Sequence, residues 1–562
     1  MTSLTSAIAA CAPLIAACCS AEPEKPLRRV IQPIAVDGVT VWAIDDGERI
    51  ARHDGDLSWM RGEANPAWTP KGPLRLFGLP GETVAFQIAV TAGREPVHGV
   101  TVMLNALEGP ATIANAAGQG VRDFRVIESF VVHELAMERR SGGKVASESL
   151  GWAKGAMPPD PSARGLLPDP LIPVELAPSW ADYPMSVGGG EHRVVWFDLT
   201  LPLGLPAGVY RGVVHVRAGG ASDASVTVPL DDVPVELEVG PVALPYAAVK
   251  TMVYFDPEGE VAKRTGSRAA IDHAHQLMHR HHLTTVFPIR SVADVQAHRG
   301  AVTGALYTRE RGYAGPGEGV AASVVVLGAY GALGDPGDAE LDVVERIVRS
   351  LQELGVRDMP GVRDVFLYAV DEQCDSPRGP SWRRALRASG RDALRGLRVG
   401  HTCSDPPAAQ QVDLVMVFAS AYDPELAREA RAVGKRVWIY NGVVPHTGTF
   451  LTDGWPLSLR ANGWIQAAHD IERWFYWEAT FWNDDNRGGL GPYDPLVQAE
   501  TFHNQHGDHC NGDGVLLYPG RQVGRASRSL GFEGVIPSIR LKQWRRGISD
   551  AGYLTLARQI DR

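Results

Sequence analysis

From residue 246 onward, strand-like runs alternate with helical ones eight times over, and few folds accommodate that count. The candidate strands are Lys250–Phe255, Thr284–Ile289, Ser323–Leu327, Val365–Val370, Leu397–His401, Leu414–Phe418, Arg436–Tyr440 and Trp474–Trp482. Amphipathic segments such as Arg268–His279 and Leu341–Leu354 lie between them. Eight strands with intervening helices in roughly 310 residues predict a (β/α)8 TIM-type barrel over residues 246–562. Several of the runs are continuously apolar, as strands covered on both faces must be. After Asn511 the alternation stops. A short hairpin around Gly514–Tyr518 and a terminal helix from Pro537-Ser538 are expected there.

The first part of the chain has a different grammar. Between residues 30 and 240, short runs such as Thr40–Ile44, Val84–Val90, Val194–Leu201, Tyr210–Val216 and Ser225–Val228 are punctuated by Gly and Pro. That spacing predicts an all-β, antiparallel sandwich domain, one large or two small. The Gly-, Pro- and Ser-rich stretch Glu138–Asp182 is expected to be a surface excursion. A chain of 562 residues exceeds one ordinary core, so a multidomain protein follows. With 44% apolar and 21% charged residues it is globular rather than disordered. A net charge of −10 without any basic stripe argues against a nucleic-acid partner.

Residues 1–22 resemble a signal or lipoprotein leader. Ala7–Cys19 is small and apolar, too short to span a bilayer, and Leu14-Ile-Ala-Ala-Cys18 resembles a bacterial lipobox. Met1–Ala10 lacks the usual positive residues. The expectation is an exported bacterial protein, periplasmic or at the cell surface, touching membrane only through a lipid anchor at Cys18. Past the leader only Cys374, Cys403 and Cys510 remain, too few for a disulfide scaffold. Cys374 and Cys403 follow successive predicted strands; free thiols are expected, with a disulfide as the alternative in an exported chain.

The predicted fourth barrel strand runs straight into Asp371-Glu372. Two consecutive carboxylates at a strand end are usually a solvated turn. In a parallel barrel, however, strand C-termini form the rim where active sites are built. The surrounding motifs favour the second meaning. Pro168-Asp-Pro-Leu-Ile-Pro173, Pro206-Ala-Gly-Val-Tyr-Arg-Gly212 and Gly81-Glu-Thr-Val-Ala-Phe-Gln87 resemble the sandwich domain that precedes glycoside hydrolase family 123-like barrels. Leu367-Tyr-Ala-Val-Asp-Glu372 resembles the family's catalytic strand, and Tyr476-Trp-Glu-Ala-Thr-Phe-Trp482 its aromatic last strand. Asn511–Gly520 and Ile536–Leu541, with Arg545, Asp550 and Tyr553, resemble the closing hairpin and helix. The resemblance implies an exo-acting N-acetyl-β-galactosaminidase in which the substrate's own 2-acetamido group is the nucleophile. Glu372 would then be the general acid/base, and Asp371 would orient the acetamide N–H. The chain departs from the family pattern at Gln373, where Pro is common, at Thr480, where Asn is expected, and at Glu478, where a small residue is usual.

Elementary geometry points the same way. An acid and a protein nucleophile must flank the scissile bond, about 5–5.5 Å apart in a retaining enzyme. Adjacent residues of one strand cannot straddle a sugar, and in a regular strand they point to opposite faces. Both reach one pocket only if the strand ends or bulges at Asp371, and they then approach from one side. A substrate acetamide is left as the natural nucleophile. For the pocket wall, Tyr440, Asn441, Tyr476, Trp477 and Trp482 are the candidates, with Trp482 as stacking platform and Tyr440 as donor to the acetamide carbonyl.

No cofactor or metal is expected. His503-Asn-Gln-His-Gly-Asp-His509 fits no zinc spacing, and Asn483–Asn486 lacks the EF-hand pattern. The partner is a glycan or glycoconjugate. The competing expectations are an exported glycan-binding lipoprotein with a non-catalytic barrel, and a glycosidase acting on a sugar without the acetamide.

Overall fold

A computed structural model describes residues 35–560, apart from 37, 56, 143–164, 220–226, 360, 405–410, 456, 485–486, 488, 490, 504–508 and 525–527. The leader with Cys18, the middle of the His503–His509 run and part of Asn483–Asn486 therefore lie outside the described residues.

The chain is multidomain. Its first part builds a six-stranded and a seven-stranded sheet. Their buried residues, among them Trp42, Phe86, Trp196, Phe197, Tyr210 and Leu237, form one hydrophobic cluster. The expected strands overlap observed ones, Val39–Asp45, Thr83–Ala92, His192–Thr200 and Gly208–Gly219, while of the expected Ser225–Val228 only 227–228 fall among the described residues, at the start of Thr227–Val239. One pairing departs from the antiparallel expectation: Thr227–Val239 lies parallel to Leu74–Gly78. The stretch read as a surface excursion also needs correcting, because it contains the largely buried strand Gly165–Pro173. Its Asp169 is fully enclosed against Arg540, so the Pro residues mark an edge strand rather than a loop.

The parallel sheet of the second part has eight strands, labelled in chain order: β1 Thr251–Tyr254, β2 Thr284–Val286, β3 Val324–Leu327, β4 Asp364–Val370, β5 Arg398–Thr402, β6 Leu414–Phe418, β7 Arg436–Tyr440 and β8 Trp474–Tyr476. All their ladders are parallel, and the order β2-β1-β8-β7-β6-β5-β4-β3 is sequence order wrapped into a ring. The ring is nearly closed. Between β2 and β3 the Thr284 and Ser323 hydroxyls meet at 2.9 Å. Buried Arg473 reaches from below β8 to the Ser323 carbonyl and Asp364, tying the floor together. Helices such as Ala269–Arg280, Asp338–Glu353 and Pro424–Ala432 cover the outside. The eightfold repeat is incomplete, since β5 and β6 are joined by residues 403–413 alone, with no α-helix among those described.

Alternation sorts the barrel side chains. Met252, Val326, Phe366, Tyr368, Met416, Trp438, Tyr440 and Phe475 share one cluster with Tyr254, Tyr330 and Phe418, which fills the lumen. Gly400 on β5 makes room for it, because a Cβ there would meet Leu414 and Phe366 within 3.0 Å. Outward residues, including Trp474, Tyr476 and Trp482, join a second and larger core beneath the helices. Cys374 and Cys403 are not the expected free thiols. They form a disulfide, with Cα atoms 5.1 Å apart, because the tops of adjacent strands bring them together. With a sequence separation of 29, such a link is worth about 3–4 kcal/mol through the unfolded chain.

Candidate active site

The C-terminal end of β4 leaves regular geometry before it delivers its carboxylates. Pairing with β5 shifts register between Tyr368 and Val370, and Glu372 adopts a left-handed φ of +50°. That conformation costs a non-glycine residue about 1–3 kcal/mol and is kept only where its surroundings hold it. The break turns both side chains toward the lumen mouth. Asp371 Oδ1 accepts hydrogen bonds from the Tyr368 hydroxyl at 2.8 Å and the Thr402 hydroxyl at 2.6 Å. Glu372 Oε1 accepts one from the Tyr440 hydroxyl at 2.8 Å. Both tyrosines line the lumen. The two acids therefore sit side by side, each on its own phenol.

Glu372 is exposed as a residue, yet its carboxyl is turned in against Tyr440 and partly withdrawn from water. That withdrawal raises its pKa, and neighbouring Asp371 adds to the rise while the Tyr440 bond opposes it. Burial, reinforced by the Glu372 charge, pushes the Tyr440 phenol far up, so it stays a donor. Burial and Asp371 do the same for Tyr368. A carboxyl raised above its usual range beside a hydrogen-bonded acceptor is suited to passing one proton out and back.

Further aromatic rings surround the pair. Tyr330, itself at φ +58°, packs edge-on to Tyr254 with centroids 4.8 Å apart and lies 5.3 Å from Tyr368. Phe418 stacks on Tyr440 at 4.6 Å. Tyr254, Tyr330, Tyr368, Phe418 and Thr402 were not singled out in the sequence. Period-two alternation along β1, β4 and β6 would have found Tyr254, Tyr368 and Phe418.

The expected wall residues divide. Tyr440 is in place, but its hydroxyl goes to Glu372 rather than being free for an acetamide. Asn441, buried at φ +56°, accepts the Trp477 N–H through its side chain and thereby bends the chain away after β8. Trp477 is half-buried near the mouth, its indole N–H donated to Asp513 at 2.9 Å and its carbonyl accepting from Tyr330. Tyr476 and Trp482 fall elsewhere. The last strand stops at Tyr476 instead of running to Trp482, so alternation cannot be carried that far. Tyr476 points outward, stacked 3.9 Å from Phe450. Trp482 is fully enclosed, its indole donating to the Leu517 carbonyl, and it offers no face to a sugar. Glu478, the residue unusual for the family pattern, folds back on its own segment: Oε1 accepts from the Ala479 and Thr480 amides and the Thr480 hydroxyl. A nucleophile facing Glu372 would not be so engaged.

Residues 397–557 match the family model for the glycoside hydrolase 123 catalytic domain. A family 123 glycoside hydrolase from Clostridium perfringens is similar in structure, with a TM-score of 0.57 at 12% identity, over 92% of this chain and 87% of that one. At that identity the likeness speaks for the fold. AvmM, which catalyses macrocyclization in alchivemycin A biosynthesis, aligns at 13% identity over 39% of this chain and 100% of its own, with a TM-score of 0.17. A β-glucuronidase from Ruminococcus gnavus aligns at 8% identity over 79% of this chain and 92% of its own, with a TM-score of 0.21. Neither score carries an argument. No curated protein matches the chain. The match over residues 397–557 marks a glycoside hydrolase 123-like protein, and the Clostridium perfringens enzyme shares its fold.

Proposed function

We propose that this glycoside hydrolase 123-like protein is an exo-acting enzyme that releases a terminal 2-acetamido sugar, an N-acetyl-β-galactosaminide, with retention and by substrate assistance. In the first step Glu372 gives its proton to the departing glycosidic oxygen. The acetamide carbonyl oxygen attacks C1 from the opposite face and closes an oxazolinium ring, whose N–H stays hydrogen-bonded to the Asp371 carboxylate. In the second step Glu372 takes a proton from water, which attacks C1, reopens the ring and restores the β-anomer. The observation that carries this proposal is the approach of both carboxyls from one strand end, each held by a lumen phenol. Glu478 is folded back on Ala479 and Thr480 and is not poised to attack, and in this reading the acetamide is the nucleophile. Tyr440 keeps Glu372 aimed inward, and Trp477 is the remaining candidate for sugar contact.

In the same proposal, residues 30–240 form a β-sandwich and residues 246–562 a (β/α)8-type barrel. The Clostridium perfringens relative is associated with glycolipid glycan hydrolysis, and a glycoconjugate is the natural substrate class here too. The leader would export the chain and lipidate Cys18, into surroundings where the Cys374–Cys403 link persists. Cys18→Ala should then move the protein from the membrane fraction to the soluble one; an unchanged distribution argues against the anchor.

A panel of aryl glycosides tests the chemistry. Aryl N-acetyl-β-galactosaminide should be cleaved, its counterpart without the acetamide at least ~10²-fold more slowly, and a thiazoline mimic of the cyclised acetamide should inhibit competitively. Equal cleavage of both glycosides would sink the proposal. Binding without turnover would leave a glycan-binding barrel.

A further inference from the structure

The acidic pair is seated not by β4 alone but by the top of β5. Thr402, the last residue of β5, holds three groups with one hydroxyl. Its Oγ1 donates to Asp371 Oδ1 at 2.6 Å, accepts from the Glu372 backbone N–H at 2.9 Å and lies 2.9 Å from the Tyr368 hydroxyl. The next residue, Cys403, is bonded to Cys374, two residues beyond Glu372. The segment carrying both carboxyls is thus fastened to β5 at each end, by the Thr402 hydroxyl and by the disulfide. Between those two points lies Glu372 at φ +50°, a backbone state that needs external support. Thr402 and Cys403 are buried, whereas Glu372 and Gln373 are exposed, so the anchor is rigid and the anchored segment would otherwise be free to swing.

We propose that Thr402 is a positioning residue for the Asp371–Glu372 pair and that the Cys374–Cys403 disulfide is the second half of the same clamp. The inference rests on the catalytic assignment above. Neither residue meets the sugar. Their effect is on how much of the time both carboxyls occupy reacting geometry, so it falls on kcat rather than on KM. A misplacement near 1 Å is enough to cost about 10²-fold.

The test compares Thr402→Val, which keeps the shape and removes the hydroxyl, with Thr402→Ser, which keeps the hydroxyl. A third protein carries Cys374→Ser and Cys403→Ser together. Thr402→Val should lose about 10- to 100-fold in kcat with KM nearly constant, and Thr402→Ser should recover most of it. In the double serine protein, hydrogen exchange at residues 371–377 should accelerate and kcat should fall, while the thermal midpoint of Thr402→Val stays near that of the parent. The exchange readout needs no substrate. Faster exchange alongside a parent that ignores acetamido glycosides would overturn the catalytic assignment and leave the clamp standing. Parent-like kcat in Thr402→Val, or unchanged exchange in the double serine protein, would overturn the clamp.

Discussion

Glu372→Gln should abolish most turnover, with kcat falling about 10²- to 10⁴-fold, the span a positioned general acid and base commands. The size of the loss should depend on the leaving group. A 4-nitrophenolate departs with little help, so its glycoside loses less in the first step than a glycoside of an aliphatic alcohol, which needs the proton. The pH profile adds a second readout. Partial withdrawal from water and the Asp371 charge raise the Glu372 pKa, so in the folded enzyme the acid form survives to higher pH than in a free glutamate. Activity should therefore decline as pH rises through that raised value, and the decline should vanish in Glu372→Gln. A variant with parent-like kcat on the poor leaving group, or with the same basic limb, would remove Glu372 from the mechanism. The Tyr440 hydrogen bond opposes the rise, so Tyr440→Phe should move the limb further up in pH.

How far the sequence already spoke for this site depends on which interactions build it. The eight strands were legible because most are compact apolar runs with their own boundaries; β6 and β7 match to the residue. The requirement that β4 break at Asp371 was legible too, since two adjacent carboxyls cannot share a pocket from a regular strand. What was not legible depends on partners distant in sequence. Strand β8 ends at Tyr476, six residues before its aromatic run does. The chain leaves the sheet there through the Asn441 side chain on Trp477 and the Glu478 carboxylate on Ala479 and Thr480. With the strand shortened, Trp482 drops out of the pocket. Thr402 was invisible for a similar reason, since a threonine ending a strand carries no mark until β5 is registered against β4. The disulfide required the same registration. Asp169 hid inside a Pro-rich stretch that reads as loop until its partner Arg540 is seen.

Asp198→Ala should be among the most destabilising single changes away from the active site, at about 3–5 kcal/mol. Asp198 lies on the strand His192–Thr200 of the six-stranded sheet and is almost fully enclosed. Its Oδ2 receives Lys542 Nζ at 2.9 Å and Arg545 Nη1 at 2.6 Å; its Oδ1 receives Arg545 Nη2 and Trp196 Nε1, each at 2.9 Å. Both cations belong to the terminal helix Ile539–Ile560 and are themselves buried, with Lys542 Nζ 3.4 Å above the Phe130 ring. Burial alone would raise the Asp198 pKa, but the Arg545 and Lys542 charges outweigh it and hold the group well below the carboxylate range. The alanine variant removes one anion and strands two cations away from water. Both cations are buried, so the cost is that of unpaired buried charge rather than of one lost contact. Its neighbours extend the seam, with Arg540 on Asp169 and Arg546 on Glu82. Denaturant unfolding should show the midpoint of Asp198→Ala falling, with the barrel and the β-rich part beginning to separate. Replacing all three partners together, as in Asp198→Leu with Lys542→Met and Arg545→Met, should recover much of the loss because no charge is then left alone. If Asp198→Ala unfolds at the parent midpoint, the terminal helix is held to the sheet by its apolar face and not by this carboxylate.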